Sequence, residues 1–364
     1  MIDTPKVAVV ILNWNGTKYL KQFLPSVMAS TWQGLDIVVG DNASTDDSIT
    51  FLQENYPSIR IIQNDENYGF TGGYNRVLQQ VDADYYILLN SDVEVTPGWI
   101  EPVISLMQSD DQIAIAAPKI KAYAQQGHFE HAGAAGGFID AYGYPFCRGR
   151  MFYEVEQDLG QYEQSGEVFW ASGASLFIKK KYWDLAGGFD DYFFAHMEEI
   201  DLCWRLKNMG YKVMYCAQST IYHVGGGTLN AENPFKTYLN FRNNLLLLKK
   251  NLPFWRAFLV INIRMWMDLL ALFRFLAEGK RKDAWAVSRA HQAFVMSLFK
   301  SKIKIQKSKK EEVTHLTPHT SHLRSQTSEP RPQNKKGIYN GSIVWQFFVK
   351  KITRFTDLNP RDLA

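Results

Sequence analysis

Cysteine is scarce in this sequence. Only Cys147, Cys203 and Cys216 occur among 364 residues, an odd number without the close spacing of a zinc site. A disulfide framework and a cysteine-based metal cluster are therefore not expected. Because thiols stay free where the surroundings keep them reduced, the count fits a protein of a reducing compartment.

Two further sequence signals are missing. The acidic Asp3 is followed by an apolar run, 7–12, that is too short for the hydrophobic part of a signal peptide. The glycines of 69–73 read GxxGG rather than GxGxxG, so the dinucleotide fingerprint is absent from a position where it would follow a strand. We therefore expect a cytoplasmic protein without a Rossmann dinucleotide site.

Apolar and aromatic residues are plentiful, by contrast. They make up 46% and 14% of the chain, enough for a sizeable core in one large domain or two. The net charge of +3 hides an asymmetry, because residues 1–248 carry −12 and residues 249–364 carry +15. An acidic body with a basic tail indicates two tasks. Basic tails bind nucleic acid or anionic lipid, and the sequence around the charges has to distinguish the two.

The first 90 residues alternate between strand-like and helix-like segments. Apolar runs predict strands at 7–12, 36–40, 59–63 and 85–89, and the stretches 19–30, 48–55 and 73–81 are long enough for helices. Repeated strand–helix–strand units form right-handed crossovers, which predicts an α/β fold with a mainly parallel central sheet flanked by helices. Farther along, 168–178 is interpreted as one strand and 200–208 as a helix.

A polar cluster follows each of these four strands. The clusters are NWNG at 13–16, DNASTDDS at 41–48, NDENYGFTGG at 64–73 and NSD at 90–92. Because parallel strands end at one edge of their sheet, the clusters are expected to share that edge, which is the geometry of a nucleotide site. Taken alone, Asp92 is better explained as a turn or cap residue, since Asn, Ser and Asp bond their own backbone.

The basic tail begins with an apolar stretch, 254–278. Its charges fall within one third of a helical wheel and leave a broad apolar face, which predicts an amphipathic helix in the plane of a lipid interface, with Arg256, Arg264 and Arg274 at the headgroups. The alternative is a helix packed on the rest of the protein. The tail's aromatic residues lie on an apolar face without base-stacking spacing, so binding of nucleic acid is not predicted.

Seven sequence motifs resemble one known family. VAVVILNWNG, VVGDNASTDDS, ENYGFTGGYNRV, YILLNSDVEV, WASGASLFIKK, GGFDDYFFAHMEEIDLCWRLKNMGY and YHVGGGT occur in this order within residues 5–250. They are similar to the motifs of family-2 glycosyltransferases with the GT-A fold, particularly the rhamnosyltransferase-like bacterial members. Each motif is weak by itself, whereas seven in the right order make the resemblance specific.

The resemblance implies an inverting, metal-dependent glycosyltransferase. Its donor would be a nucleotide-diphosphate sugar, such as dTDP-rhamnose or a UDP-sugar, and its acceptor a glycan or lipid-linked molecule in cell-surface polysaccharide synthesis. Together with the basic amphipathic tail, this predicts a peripheral protein on the inner face of the cytoplasmic membrane, bound to anionic lipid. The alternative is a nucleotide-sugar-binding protein without turnover, because Asn90 stands where the family's DXD motif has its first acid.

The resemblance also implies residues for the donor and its metal. Asp92 and His223 would bind Mg²⁺ or Mn²⁺ beside the diphosphate, because these hard cations suit carboxylate and phosphate oxygens. Without the family, His223 is as well explained as a structural histidine, and Asp41 as a helix cap. Nucleotide-sugar contacts are implied at Asn13, Asn15, Asp41, Asn67, Gly72, Asn90, Asp92 and Arg242.

The remaining implied residues concern the acceptor. The family's Glu-Asp pair aligns with Glu198 and Glu199, one of which would remove the acceptor's hydroxyl proton; Glu199 takes the Asp position, and the choice stays open. Asp201 and Arg205 are predicted to be a structural ion pair at i, i+4. Acceptor contacts are implied at Trp170, otherwise a core residue, and at Gly173.

These interpretations divide the chain as follows. We predict a GT-A catalytic domain at 1–250, with its nucleotide-binding half at 1–118 and its acceptor half at 119–250, then an amphipathic helical region at 251–300, a flexible basic linker at 301–337 and a short amphipathic segment at 338–364. The linker prediction rests on a composition rich in Lys, Ser, Thr, His and Pro. Within the last segment, 338–355 is predicted to be a second amphipathic anchor.

Overall fold

The computed structural model describes residues 4–225, 233–311 and 332–364, and only the backbone of 300–311. These residues fall into two compact units, the first within Met1–Leu229 and Asn334–Ala364 and the second within Asn230–Gln333. The first unit holds every predicted site residue except Arg242.

Strands and helices alternate along the first unit, and the second unit is helical. The strands are β1 Val7–Asn13, β2 Leu35–Asp41, β3 Arg60–Gln63, β4 Tyr85–Asn90, β5 Val93–Val95, β6 Ile113–Ala122, β7 Gly137–Asp140, β8 Pro145–Cys147, β9 Arg150–Met151, β10 Glu154–Val155, β11 Gly166–Val168, β12 Ser175–Lys179, β13 Lys212–His223 and β14 Ile338–Tyr339. The α-helices are α1 Thr17–Met28, α2 Ser48–Asn55, α3 Gly69–Leu78, α4 Glu101–Ser109, α5 Lys180–Ala186, α6 Glu198–Asn208, α7 Pro234–Asn251, α8 Phe254–Ala277, α9 Arg281–Glu311 and α10 Ile343–Phe348.

The main sheet has the strand order β11-β13-β6-β12-β4-β1-β2-β3, with β5 paired to β13. Strands β4, β1, β2 and β3 are parallel, and Asn13 at the end of β1 pairs in register with Asp41 at the end of β2. The four predicted strands and their shared edge are confirmed. The neighbouring half of the sheet is mixed, because β12 runs antiparallel to both β4 and β6.

Close packing holds α3 against the parallel strands. A Cβ atom added at Gly40 of β2 would lie 2.5 Å from Val77 Cγ2 of α3, and one at Gly73 would lie 2.9 Å from Leu12 Cδ2 of β1. Only a residue without a side chain leaves room for such a contact. The short glycine-rich stretch after β3 therefore brings the start of α3 to the carboxyl edge of the sheet.

The prediction of one strand at 168–178 is wrong. The structure has two short strands there, β11 and β12, which occupy different places in the sheet: β11 pairs with β13, and β12 pairs with β4 and β6. Residues 169–174 cross between these places, because a single straight strand cannot pair with both sets of neighbours. Within the crossing, Trp170 forms an isolated bridge to Gly137 of β7.

A second, smaller sheet has the order β10-β9-β8-β7-β14. Its last strand comes from the C-terminal segment and runs parallel to β7. Tyr339 and Phe347 are buried, and the Phe355 ring lies 4.7 Å from that of Phe138, centroid to centroid. The predicted second anchor at 338–355 is therefore wrong, because this stretch uses its aromatic side chains to complete the core of the first unit.

The second unit consists of α7, α8 and α9. The domain boundary was predicted at residue 250, whereas the second unit begins before α7 and includes it. Leucines 245–248 of α7 are buried, so this helix contributes to the core of the helical unit. The helix predicted from 254–278 is present as α8. Residues 301–311 continue α9 and are not a linker, while 312–331 lie outside the described residues. None of the described helices is long and apolar enough to cross a membrane.

Helix α8 buries charges and exposes apolar side chains. Arg264 and Asp268 are buried, with Arg264 Nη2 3.5 Å from Asp268 Oδ1, and His291 Nε2 of α9 lies 3.1 Å from Asp268 Oδ2. Exposed apolar residues on α8 are Phe254, Trp255, Phe258, Leu259, Ile263, Trp266, Leu270, Phe273 and Leu276. The prediction that Arg264 reaches lipid headgroups is therefore wrong, because this arginine is paired inside the helical unit.

Candidate active site

Asn13 and Asp41 form a buried polar pair at the carboxyl edge of the parallel strands. Asn13 Nδ2 donates to Asp41 Oδ1 at 3.0 Å, and the backbone N–H of Ser44 donates to Asp41 Oδ2 at 2.9 Å. Because α2 begins only at Ser48, Asp41 caps the turn after β2 and not the helix. Asn13 Oδ1 is buried and has no hydrogen-bond partner among the described residues.

Asn15 joins two loops of this edge. Its backbone has φ 50°, and its Oδ1 accepts from the backbone N–H groups of Thr45 at 2.7 Å and Asp46 at 3.3 Å. Its own backbone N–H donates to Ser44 Oγ at 2.9 Å. The side-chain oxygen of Asn15 is therefore engaged within the protein, and its predicted contact with the nucleotide sugar stays a prediction.

Asn42 holds the loop before α3 through side-chain hydrogen bonds, and it was not among the predicted site residues. Its Nδ2 donates to Asn67 Oδ1 and to the carbonyl of Gly69, both at 2.9 Å, and its Oδ1 accepts from Asn64 Nδ2 at 3.0 Å. Asn67 is thereby held in place. Gly72 lies where an added Cβ would be 2.8 Å from Tyr68 Cβ. The position directly after Asp41, in DNAST, was the available signal for Asn42.

Asp92 and His223 meet across 131 residues of sequence. Asp92 lies between β4 and β5, and β5 pairs with the end of β13, so that His223 is the register partner of Val93. His223 Nε2 lies 3.1 Å from Asp92 Oδ1 and 3.4 Å from Asn90 Nδ2. Both Asp92 and His223 are buried, so the structure brings the two predicted metal ligands together at the strand edge.

A third ionisable residue, Glu130, contacts the same imidazole and was missed by the sequence analysis. Its Oε2 lies 3.3 Å from His223 Nδ1. Burial by itself would lower the pKa of His223, but Asp92 and Glu130 outweigh it and raise that pKa to about 10. Burial would raise the pKa of Glu130, but the contact with His223 outweighs this effect and holds that pKa below the usual range. No recognised motif contains Glu130. The one sequence signal for it was its position between two histidines in HFEHAG.

The donor atoms at this edge fit a divalent cation only in part. Asp92 and His223 offer one carboxylate and one imidazole nitrogen, a combination that Mn²⁺ and Mg²⁺ accept when phosphate oxygens complete the shell. Within residues 4–225, 233–311 and 332–364, no group of three or more His, Cys, Asp or Glu side chains could hold a metal ion by itself. A cation here would therefore need ligands from a bound diphosphate. Gly225 has φ 75°, while Gly226 and Gly227 lie outside the described residues.

Glu198 and Glu199 begin α6 after an unusual stretch of backbone. Phe194, His196 and Met197 all have φ between 65° and 73°. Residues other than glycine adopt this conformation only at a cost of about 1–3 kcal/mol each, and such strain clusters at functional sites. This strained stretch leads directly into α6, whose first two residues are Glu198 and Glu199.

The environment of the two acids favours their protonated forms. Burial raises the pKa of Glu199 to about 7, although backbone N–H groups at the start of α6 partly oppose the shift. Burial, and then the neighbouring Glu199, raise the pKa of Glu198 well above its usual range. The Oε2 atoms of both have no hydrogen-bond partner among the described residues. Glu199 is half-buried as a residue, whereas Glu198 is buried, and a pKa near 7 suits a general base.

The loop that carries these acids rests on the start of α3. The carbonyl of Phe194 accepts from the backbone N–H groups of Phe70 at 2.8 Å and Thr71 at 3.2 Å. A Cβ atom added at Gly69 would lie 2.5 Å from the Phe194 ring. Because α3 starts at the carboxyl edge of the sheet, the acid loop adjoins the same edge as Asp92.

The predicted ion pair on α6 is confirmed. Arg205 Nε lies 2.7 Å from Asp201 Oδ2, and Asp201 is fully buried. The same guanidinium donates to the carbonyls of Ala186 and of Gly188, the latter at 2.7 Å. The pair thus ties α6 to the segment that precedes the acid loop, and its role is structural.

Three predicted binding residues have contacts of other kinds. Trp170 is buried and its indole N–H donates to the carbonyl of Phe138 at 2.8 Å, which is a packing role. An added Cβ at Gly173 would lie 3.4 Å from Phe70, an ordinary contact. Arg242 lies on α7 in the second unit and donates to Asn243 Oδ1 at 2.8 Å. Their roles in binding stay predictions.

The sequence is similar to known families and proteins. Residues 8–181 match the family model described as Glycosyl transferase family 2. The chain is 25% identical over 236 residues to an N-acetylglucosaminyl-diphospho-decaprenol L-rhamnosyltransferase of Mycobacterium tuberculosis, covering 60% of this chain and 76% of that protein. It is 24% identical over 233 residues to the O-antigen biosynthesis protein RfbC of Myxococcus xanthus, covering 63% of this chain and 18% of that protein.

Solved structures share the fold. GalNAc-T7, solved with UDP, GalNAc and Mn²⁺, matches with a TM-score of 0.53 and 15% identity over 68% of this chain and 48% of that chain. The mannosyltransferase PcManGT of Pyrobaculum calidifontis, solved with GDP-Man and Mn²⁺, matches with a TM-score of 0.50 and 12% identity over 81% of this chain and 88% of that chain. At such identities the likeness shows the fold, which is the predicted GT-A fold.

Proposed function

Because residues 8–181 belong to glycosyl transferase family 2, we propose that this chain is an inverting, metal-dependent glycosyltransferase of cell-surface polysaccharide synthesis. One observation carries the proposal. The pair of Asp92 and His223 and the loop with Glu198 and Glu199 adjoin the same carboxyl edge of the parallel strands, where α/β proteins bind nucleotides.

On the donor side, the pair of Asn13 and Asp41 would bind the nucleoside. Asp92 and His223 would hold Mg²⁺ or Mn²⁺ against the diphosphate, and Asn90 would donate to a phosphate oxygen. When bound, the cation neutralises the negative charge that grows on the leaving diphosphate. The single full carboxylate in this set supports a metal site that is completed by the donor itself.

On the acceptor side, we assign the base to Glu199. Its carboxylate takes the hydroxyl proton while the acceptor oxygen bonds to the anomeric carbon and the bond from that carbon to the diphosphate oxygen breaks. Attack from the face opposite the leaving group inverts the configuration. The pKa of about 7 supports Glu199, whereas the deeper burial of Glu198 favours a proton that stays bound.

A transfer assay tests this function. Purified full-length protein is incubated with dTDP-rhamnose and with UDP-sugars, with Mn²⁺, Mg²⁺ or EDTA, and release of nucleoside diphosphate is measured with and without a lipid-linked GlcNAc-diphosphate acceptor. We expect release that depends on metal and is stimulated by acceptor. Donor binding in thermal-shift measurements without any release would favour the alternative, a nucleotide-sugar-binding protein without turnover.

The names of the relatives support the substrate classes. A rhamnosyltransferase that acts on a decaprenol-linked sugar and an O-antigen biosynthesis protein are both similar to this chain. We therefore propose dTDP-rhamnose or a UDP-sugar as donor and a lipid-linked glycan as acceptor, reached at the inner face of the cytoplasmic membrane. Thermal shifts with a panel of nucleotide sugars at one concentration would rank the donors, because a ligand that binds the folded protein more tightly stabilises it more.

We further propose that the second unit binds an anionic membrane surface. The exposed apolar residues of α8 recur every three to four positions, which forms a stripe along the helix, and α9 exposes Trp285, Met296 and Phe299. Exposed Arg281 and Lys282, the first two residues of α9, add basic charge. Aromatic and aliphatic side chains beside basic residues are typical of helices that lie in the lipid interface, and each basic residue adds about 1 kcal/mol.

Matched leucines give a sharp test of this surface. Leu270 on α8 is 71% exposed and Leu159 in the first unit is 77% exposed, so Leu270→Glu and Leu159→Glu introduce the same charge at equally open positions. With vesicles of anionic lipid at low salt, full-length protein and Leu159→Glu should sediment, and Leu270→Glu should stay in the supernatant. Wild-type protein that does not sediment, or equal sedimentation of both variants, would contradict the proposed surface.

A further inference from the structure

Glu130 lies outside every motif used above, yet it contacts His223 from the side opposite Asp92. Its Oε2 is 3.3 Å from His223 Nδ1, while Asp92 Oδ1 is 3.1 Å from Nε2. The 3.3 Å separation is an ion-pair distance without the alignment of a full hydrogen bond. All three side chains are buried, so the imidazole is held between two carboxylates away from bulk water.

The carboxylate of Glu130 is itself held in place. The backbone N–H of Ala132 donates to Glu130 Oε2 at 2.5 Å, and the backbone N–H of Glu130 donates to the carbonyl of Ile120 in β6 at 3.0 Å. On the other side, a Cβ atom added at Gly225 would lie 2.7 Å from Glu130 Oε1. The carboxylate is thus enclosed between β6 and the residues that follow His223, and it has little freedom to turn away from the ring.

We propose that Glu130 is a positioning residue, which orients the imidazole of His223 so that Nε2 faces the donor diphosphate and its cation. With a cation bound, Nε2 would give up its proton and offer a lone pair, while the Nδ1–H would stay directed at the Glu130 carboxylate, which fixes the orientation of the ring. Carboxylates in this place also raise the basicity of the ring, and their loss weakens metal binding about 10–100-fold. The inference rests on the proposed function, because it assumes that His223 acts at the diphosphate.

The test measures how strongly Mn²⁺ enhances binding of a nucleoside diphosphate. UDP, dTDP and GDP are compared by calorimetry, and the tightest is titrated into the full-length protein with Mn²⁺ and with EDTA. The ratio of the two affinities reports the metal contact without any turnover. Glu130→Gln keeps the size of the side chain and an acceptor for Ala132, so it removes mainly the charge beside His223. Glu156→Gln is the matched control, since the Glu156 carboxylate accepts from the Tyr162 hydroxyl at 3.1 Å.

We expect the Mn²⁺ enhancement to fall at least about tenfold in Glu130→Gln and to stay at the wild-type value in Glu156→Gln. His223→Ala should lose the enhancement too, and the double variant should be no worse than His223→Ala, because Glu130 acts through that ring. A role in folding alone would lower the melting temperature and leave the ratio unchanged. If Glu130→Gln does not fold, Glu130→Asp, which keeps the charge on a shorter arm, should retain part of the enhancement.

Three results would overturn the inference, and they differ in whether His223 remains a proposed metal ligand. A wild-type ratio in Glu130→Gln, together with a loss in His223→Ala, ends the positioning role and leaves His223 as a ligand. Additive losses in the double variant mean that Glu130 acts independently of His223. A wild-type ratio in His223→Ala ends both this inference and the proposed metal site.

Discussion

The protein has two clusters of acidic residues at one sheet edge, and the surroundings of the two clusters are opposite. Asp92 faces the imidazole of His223, which Glu130 contacts from the other side, so the negative charges there meet a cationic partner. Glu198 and Glu199 are adjacent, and the Oε2 atom of each lacks a hydrogen-bond partner within the described ranges. In the first cluster the pKa of Glu130 is lowered, whereas in the second the pKa values of both glutamates are raised.

This difference teaches how one side-chain type can serve two tasks. A nearby cation stabilises the charged carboxylate, whereas burial beside a second acid favours the neutral form. Assignments of acid and base roles follow from such pairs of environments. On this basis Asp92 is suited to permanent contact with a cation or donor, and Glu199, with a pKa of about 7, is suited to exchange a proton during turnover.

The largest effect should come from removing the charge of the first cluster. Asp92→Asn keeps the side-chain shape but weakens the contact with His223 and the proposed cation, so transfer should fall by about 10³-fold or more. The sequence suggests an exposed strand end, but Asp92 is buried, so a modest loss of stability is also expected. Steady-state kinetics and thermal unfolding measure both. Wild-type transfer in this variant would remove Asp92 from the site.

The second cluster should show a different kinetic signature. Glu199→Gln removes the base and not a donor contact, so kcat should fall by about 10²–10³-fold while donor affinity is kept. Glu198→Gln serves as the paired variant and should affect kcat less. The reverse result, with the larger loss in Glu198→Gln, would move the base to the neighbouring residue.

The pH dependence should separate the two clusters further. The proposed base works only as a carboxylate, so kcat should rise with pH through about 7 and be about tenfold below its plateau at pH 6. The residual activity of Glu199→Gln should lack this step. A wild-type profile that is flat between pH 6 and 8, measured with chemistry as the slow step, would contradict the assignment.

The smallest effect should come from the junction that joins the acid loop to α3. Gly69 has φ 69° and Gly187 has φ 75°, so alanine at either position costs about 1–2 kcal/mol of backbone strain. Only at Gly69 would the new methyl group also meet Phe194. Gly69→Ala should therefore lower kcat several-fold, while Gly187→Ala should lower only the melting temperature. Equal kcat values in the two variants would show that the junction does not position the acids.

Local sequence patterns were sufficient for much of the nucleotide-binding half. The strands at 7–12, 36–40, 59–63 and 85–89 were predicted because buried parallel strands are short apolar runs, and their common edge follows from right-handed crossovers. The family match and the fold of the solved structures agree with that interpretation. Patterns failed at 168–178, where a mainly apolar stretch, interrupted by Ser172, Gly173 and Ser175, contains a crossing between two places in the sheet.

The tertiary structure alone decided which side chains meet. Asp92 and His223 are 131 residues apart, and Glu130 belongs to no motif, so their contacts depend on the pairing of β5 and β6 with β13. In the same way, the helical wheel of α8 indicated an apolar face but not that Arg264 is buried in an ion pair. Hydrophobic periodicity is a local property of the chain, whereas the partner of a buried charge is set by the packing of distant elements.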